Sequence, residues 1–170
     1  MLSMAELLAA ELERELPGTR RALERVPEGM NDWRPHPRSM PLGYLAGLVA
    51  TMPGWIASMV QDRELDLASP GRYQTRAFES AAELLAAFDR EAGEARRALE
   101  QASDGHLLET RWQLRMGGQV LTDQTRYEAV RDGALNHLYH HRGQLTTYLR
   151  LNEQPVPALY GPSADEAHPG

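Results

Sequence analysis

The chain has 170 residues, of which 42% are hydrophobic and 25% are charged, values typical of one soluble globular domain. It contains no cysteine, which excludes disulfides, thiolate metal ligands and cysteine nucleophiles. The formal net charge of −6 argues against a nucleic-acid partner, because phosphate binding needs a basic surface. We expect neither a signal peptide nor a membrane-spanning segment, since no apolar run approaches the roughly 20 residues that cross a bilayer. The expected location is therefore the cytoplasm, with no membrane partner.

Four segments carry apolar residues at the spacing of an amphipathic helix. Ser-x-x-Glu or Thr-x-x-Glu capping patterns begin three of them, at Ser3, Ser80 and Thr125. Ser39 is the expected cap of the remaining one. The predicted helices run over residues 3–26, 40–61, 81–102 and 126–151.

Proline and glycine punctuate two of these helices. The Pro-Gly pairs at positions 17–18 and 53–54 predict kinks or breaks. Pro41 falls in the first turn of its helix, where proline is tolerated.

Four helices of about 20 residues favour an antiparallel bundle, and the long connections between them also permit crossover topologies. We therefore predict an all-α four-helix bundle forming a single domain over residues 1–170. Alternating residues around a Gly-Gly pair predict a short β-hairpin near 110–122. The acidic run at 62–66 is interpreted as a solvated loop, and the proline-containing tail 152–170 as non-helical with apolar anchors.

Two histidines on the last predicted helix carry the main functional signal. His137 and His141 are four residues apart, so their side chains project within about 40° of each other. The apolar residues Val130, Ala134 and Leu145 share that direction, which places both imidazoles on the buried face. His140 lies at the flank, about 100° away.

Buried imidazoles are costly unless both ring nitrogens find partners. A divalent metal ion such as Zn, Ni or Fe is one solution, and two histidines at this spacing are a frequent ligand pair. A tyrosine, a carboxylate or water is the other solution, so the spacing alone leaves both interpretations open.

The stretch NHLYHHRGQLTTYLRLNEQPVPALYGPSADE, residues 136–166, resembles the C-terminal signature of the DinB-like superfamily. Residues 33–55, WRPHPRSMPLGYLAGLVATMPGW, resemble the same branch, one formerly described only as a domain of unknown function. The resemblance implies a DinB/YfiT-like four-helix bundle that assembles as a homodimer. It also implies a divalent metal held by three histidines, two of which match His137 and His141. Its related families include thiol-cofactor-dependent S-transferases, isomerases and metal-dependent hydrolases.

This sequence departs from that pattern at Leu48, where the resemblance places the third histidine. We expect Leu48 to line a pocket with Tyr44, Met52 and His140. One hypothesis is a metal-dependent S-transferase or hydrolase that acts on a small molecule or uses a thiol cofactor. The alternative is a non-catalytic dimeric binding or stress-response module whose metal site has degenerated.

Overall fold

The computed structural model describes residues 2–69 and 75–168, and four long helical segments form its bundle. The predicted bundle is confirmed, and every predicted helix end lies within two residues of an observed one. A short helix, α4, was not predicted. The helices are α1 (Met4–Glu24), α2 (Leu42–Gln61), α3 (Ala81–Glu100), α4 (Asp104–Glu109), α5 (Arg126–Glu128) and α6 (His137–Leu151), with a π-helical segment (Ala129–Asn136) joining α5 to α6.

Side-chain caps begin three of the helices, as the capping patterns predict. Reciprocal capping boxes form at Ser3 and at Thr125, and the Ser80 hydroxyl accepts a hydrogen bond from the Glu83 amide at 3.2 Å. These bonds satisfy amides that would otherwise lack partners in the first helical turn.

The start of α2 differs from the prediction, because Ser39 does not cap it. The N-cap residue is Pro41, which has no side-chain donor or acceptor to offer. Carbonyls of the preceding loop replace the missing cap: the amide of Leu42 donates to Trp33 at 2.8 Å, and that of Gly43 donates to Asn31 at 3.0 Å. The loop is thereby fixed against the first turn.

The two Pro-Gly pairs do not break their helices, since α1 continues through Pro17 and α2 through Pro53. At the second pair the glycine serves packing. A Cβ atom at Gly54 would lie 1.8 Å from a carboxylate oxygen of Glu91 on α3. The absence of a side chain at this position lets the two helices approach closely.

A small sheet lies beside the bundle, with strand order β1-β2-β3. Its strands are β1 (Glu64–Asp66), β2 (Arg111–Met116) and β3 (Gln119–Thr125). The predicted hairpin is confirmed: β2 and β3 are antiparallel, and Gly117 and Gly118 have φ angles of 55° and 90° that favour glycine. The interpretation of 62–66 as a loop was wrong, because β1 pairs with β2 in parallel and buries Leu65. A three-residue strand is too short to show a periodic pattern.

Helix α2 is the most apolar element of the chain. By length and composition it is the one helix among the described residues that could cross a membrane, but 72% of its apolar window is buried inside the protein. Residues on nearly all sides of α2 are buried, and it packs against α3, α6 and the π-helical segment. It is therefore the central helix of the core.

The tail contains neither helix nor strand over residues 152–168, as predicted. It is nevertheless fixed to the bundle. Ala158 is fully buried, its carbonyl accepts a hydrogen bond from Arg21 at 2.6 Å, and Glu166 forms an ion pair with Arg25. The tail thus covers part of α1.

Two basic side chains satisfy the carbonyls where α2 ends. The buried guanidinium of Arg126 donates to the carbonyls of Met59 at 2.7 Å and Asp62 at 2.6 Å. The Nε2 of His106 donates to the carbonyl of Val60 at 2.7 Å. Cationic donors at a helix C-terminus also complement its dipole.

We expect Arg126→Met to lower the free energy of unfolding by about 3 kcal/mol, because charge-assisted hydrogen bonds are lost and buried carbonyls are left unpaired. Urea denaturation followed by circular dichroism measures the change. Arg14→Met, at an exposed position of α1, is the matched control and should change stability by less than about 0.5 kcal/mol. Equal effects of the two substitutions would contradict this role for Arg126.

Candidate functional site

The two predicted histidines meet at the start of α6. Their rings point toward each other, with Nε2 atoms 2.9 Å apart and ring centroids 4.6 Å apart. His141 is 8% exposed and His137 is half-buried. The predicted inward projection of this pair is therefore observed.

The π-helical segment that ends at Asn136 leads directly into the pair. Segments of this kind are rare and frequently lie at functional sites. One of its residues, Gly133, faces α2 closely, since a Cβ atom there would lie 2.8 Å from the terminal carbon of Met59.

The outer side of each imidazole has its own partner. The Nδ1 of His141 lies 2.7 Å from the side-chain oxygen of Gln144, and His137 forms a hydrogen bond with the backbone of Gly133. An oxygen partner requires an N–H donor on the ring, so the Nδ1 of His141 carries its proton. Its Nε2 then faces His137 as a lone pair.

Burial shapes the charge of this pair. Desolvation lowers the pKa of both His137 and His141, and the positive charge that the neighbouring His140 can carry acts in the same direction. Both rings are therefore neutral at physiological pH, which is the form that binds metal ions.

Helices α2 and α6 run antiparallel beside the pair. The hydroxyl of Tyr148 donates to the carbonyl of Met40 at 3.3 Å, and the rings of Trp55 and His137 make an edge contact with centroids 5.5 Å apart. These two contacts fix the register of α2 against α6.

Leu48 lies midway between the two α2 residues of those contacts, and the register therefore places it level with His141. It is 7% exposed and belongs to the core. The position that the family resemblance assigns to a ligand is thus filled by a packed aliphatic side chain.

The other three residues expected around a pocket occupy different environments. Met52 is fully buried, whereas Tyr44 is 41% exposed. His140 is exposed, and its ring lies 4.9 Å from that of His141. Tyr44 and His140 are therefore accessible to a ligand, and Met52 is a core residue.

A third metal ligand is not assembled beside the pair. Among residues 2–69 and 75–168, no three histidine, aspartate, glutamate or cysteine side chains form a group that could hold a metal ion. The donor set contributed by the described side chains is thus two imidazoles.

A buried arginine next to the pair was missed by sequence reasoning. Arg142 is 2% exposed and forms an ion pair with Glu15 of α1 at 2.6 Å. Its guanidinium also donates to the hydroxyls of Thr19, at 2.9 Å, and Tyr160. The network fixes α6 to α1 and to the tail. Its signal in the sequence is weak, because a lone arginine on an amphipathic helix usually lies at the surface.

An open cleft of about 830 Å³ lies between α2 and α3. Its lining is mixed, with Phe78, Arg90 and Glu91 among its residues. The histidine pair does not line it, but Trp55 does, and the same Trp55 ring contacts His137. Trp55 therefore separates the cleft from the pair.

The sequence model of the DinB family matches residues 1–169. The chain belongs to the DinB family. The resemblance inferred from residues 33–55 and 136–166 is thereby confirmed. No curated protein matches this chain.

Solved structures of other DinB-like proteins share the fold. One, from Bacillus subtilis, is 18% identical with a TM-score of 0.66, and the match covers 89% of this chain and 96% of that protein. Another, from Bacillus cereus, is 18% identical with a TM-score of 0.68, covering 90% and 95%. At this identity the likeness supports the bundle architecture only.

The lowered histidine pKa values predict a pH-dependent stability. Below about pH 6.5 the unfolded chain takes up protons that the folded His137 and His141 refuse, so the free energy of unfolding should decrease as the pH falls from 7 to 5.5. Urea denaturation of metal-free protein at several pH values measures the slope. The double variant His137→Gln, His141→Gln should show a shallower slope, and an unchanged slope would refute the assignment.

Proposed function

We propose that this DinB-family protein binds one divalent metal ion through His137 and His141 and acts as a metal-dependent enzyme. The observation that carries the proposal is the convergence of the two Nε2 atoms at 2.9 Å on the buried side of α6. Two metal–nitrogen bonds of about 2.0–2.1 Å at a right angle separate their nitrogens by about 2.9 Å, so the spacing fits adjacent ligands of one ion.

The outer hydrogen bonds support the same conclusion. If both rings carry their proton on the outer nitrogen, toward Gln144 and Gly133, two lone pairs face each other. That arrangement is repulsive unless a cation lies between them. Partners that hold the far nitrogen of a ligating histidine are a regular feature of metal sites.

In this proposal His137 and His141 hold the ion, and the remaining coordination positions stay open. A bound divalent cation supplies Lewis acidity for polarising a carbonyl or lowering the pKa of a water or thiol. Trp55 limits access of water to His137 from the side of the cleft. Exposed His140 and Tyr44 are positioned to contact a substrate that enters from solvent.

For the reaction we propose transfer to or from a thiol, or hydrolysis of a small molecule. The metal is Zn, Ni or Fe, all of which accept imidazole ligands. We further propose a cytoplasmic homodimer that binds neither nucleic acid nor membranes, in line with the net charge of −6.

Metal content tests the proposal directly. Protein purified without a histidine tag and titrated with Zn²⁺ by calorimetry should bind about one equivalent. His137→Gln and His141→Gln should each abolish that binding, because one imidazole remains. His140→Gln is the matched control and should bind as the wild type does. Less than about a tenth of an equivalent in the wild type, with no uptake on titration, would reject the metalloenzyme.

A second candidate function is a non-catalytic binding or stress-response module. The buried Leu48 favours it, since two histidines alone rarely hold a metal tightly. The pair can also be satisfied without metal if the amide of Gln144 turns to present its nitrogen. A chain of donors then runs from Gln144 through His141 and His137 to Gly133, and every ring nitrogen is paired.

Leu48→His separates the two candidates, because it restores an imidazole level with His141. In the metalloenzyme we expect zinc affinity to rise by about 100-fold, given that four ligands of a structural site together contribute about 10–16 kcal/mol. Calorimetry with a competing chelator measures it, and Leu48→Asn controls for the loss of packing. If the wild type binds no zinc and the variant does, the non-catalytic module is favoured instead.

A further inference from the structure

The side chain of Gln144 is placed to control His141. It lies three residues further along α6, is half-buried, and its oxygen is 2.7 Å from the Nδ1 of His141. Side chains three apart on a helix share a face, so α6 itself holds the amide beside the ring.

An amide is an unusual partner for a ring of this kind because it has two chemically different ends. Its oxygen accepts a proton from Nδ1 and leaves the Nε2 of His141 as a lone pair. Its nitrogen donates to Nδ1 and leaves a proton on Nε2, which blocks metal binding at that atom. A carboxylate in the same place would allow only the first arrangement.

We propose that Gln144 is a positioning residue that sets the metal affinity of the histidine pair by selecting the tautomer of His141. The inference rests on the proposed function, since it concerns binding of a divalent cation to His137 and His141. In the observed orientation the amide oxygen faces the ring and the tautomer is the metal-binding one.

The neighbourhood of the pair explains why one residue has this control. His137 is held by the backbone of Gly133, which is always an acceptor, so the tautomer of that ring is fixed by the main chain. Gln144 is the partner that can present either a donor or an acceptor. Both tautomers of the pair are thus compatible with the same fold, and the amide decides between them.

Two substitutions test the proposal on the full-length, metal-free protein. Gln144→Met keeps the length of the side chain but removes the hydrogen bond, and should weaken Zn²⁺ binding by about 10- to 100-fold. Gln144→Glu should strengthen it by about tenfold, because a carboxylate only accepts. Competition with a chelator measures the affinities, and the ¹⁵N chemical shifts of His141 report its tautomer without metal.

Gln61→Met, at an exposed position of α2, is the matched control and should leave both readings unchanged. Thermal unfolding verifies that each variant is folded. If the wild type binds Zn²⁺ but Gln144→Met binds it equally well with an unchanged tautomer, the role of Gln144 is overturned and the proposed function stands. A wild type that takes up no Zn²⁺ overturns both, and the proton on Nε2 of His141 would then identify the metal-free hydrogen-bond chain.

Discussion

The antiparallel contact between α2 and α6 determines both the core and the candidate site. Helix α2 is buried on nearly all sides, so its partners must present apolar surface or satisfied polar groups. Helix α6 meets this demand with imidazoles whose outer nitrogens are engaged within their own helical run. The polar interruption is tolerated because it is local to one turn of α6, and the aliphatic Leu48 supplies the facing surface.

Rigid attachment of α6 is the second requirement of this arrangement. The ion pair between Arg142 and Glu15 is buried, and the tail adds Tyr160 to the same network. A buried ion pair contributes little net stability, but it specifies one geometry, since misplacing either charge is costly. Arg142 follows His141 directly in the chain, so this specificity is transmitted to the ring.

Periodicity and capping chemistry predicted the four long helices, because both are local properties of the sequence. Ser3 and Thr125 form their capping boxes for this reason, and the inward direction of His141 follows from spacing alone. What remained beyond prediction depends on contacts distant in sequence. Ser39 lost its expected role to the loop carbonyls of Trp33 and Asn31, and β1 exists only through its pairing with β2.

The candidate site shows the same division. His137 and His141 were found from their spacing, and Leu48 from the family resemblance, whereas Gln144 and Arg142 were overlooked. A glutamine or an arginine on a helix has no distinctive pattern, and its role is visible only when its partner is known. The assignment of His140 and Tyr44 to the rim also required measured exposure, because helix spacing alone cannot place residues at a flank.

The π-helical segment reconciles two anchors that a regular helix would set at conflicting angles. Arg126 fixes the beginning of the helical run against the end of α2, and Arg142 fixes its continuation against α1. Each residue of an α-helix turns the chain by about 100°, so an uninterrupted helix between them would allow only one relative rotation. The wider turn absorbs the angular mismatch. Loss or gain of a single residue between 129 and 136 would therefore act like a rotary offset, turning the imidazoles away from α2 while leaving composition, charge and apolar content almost unchanged.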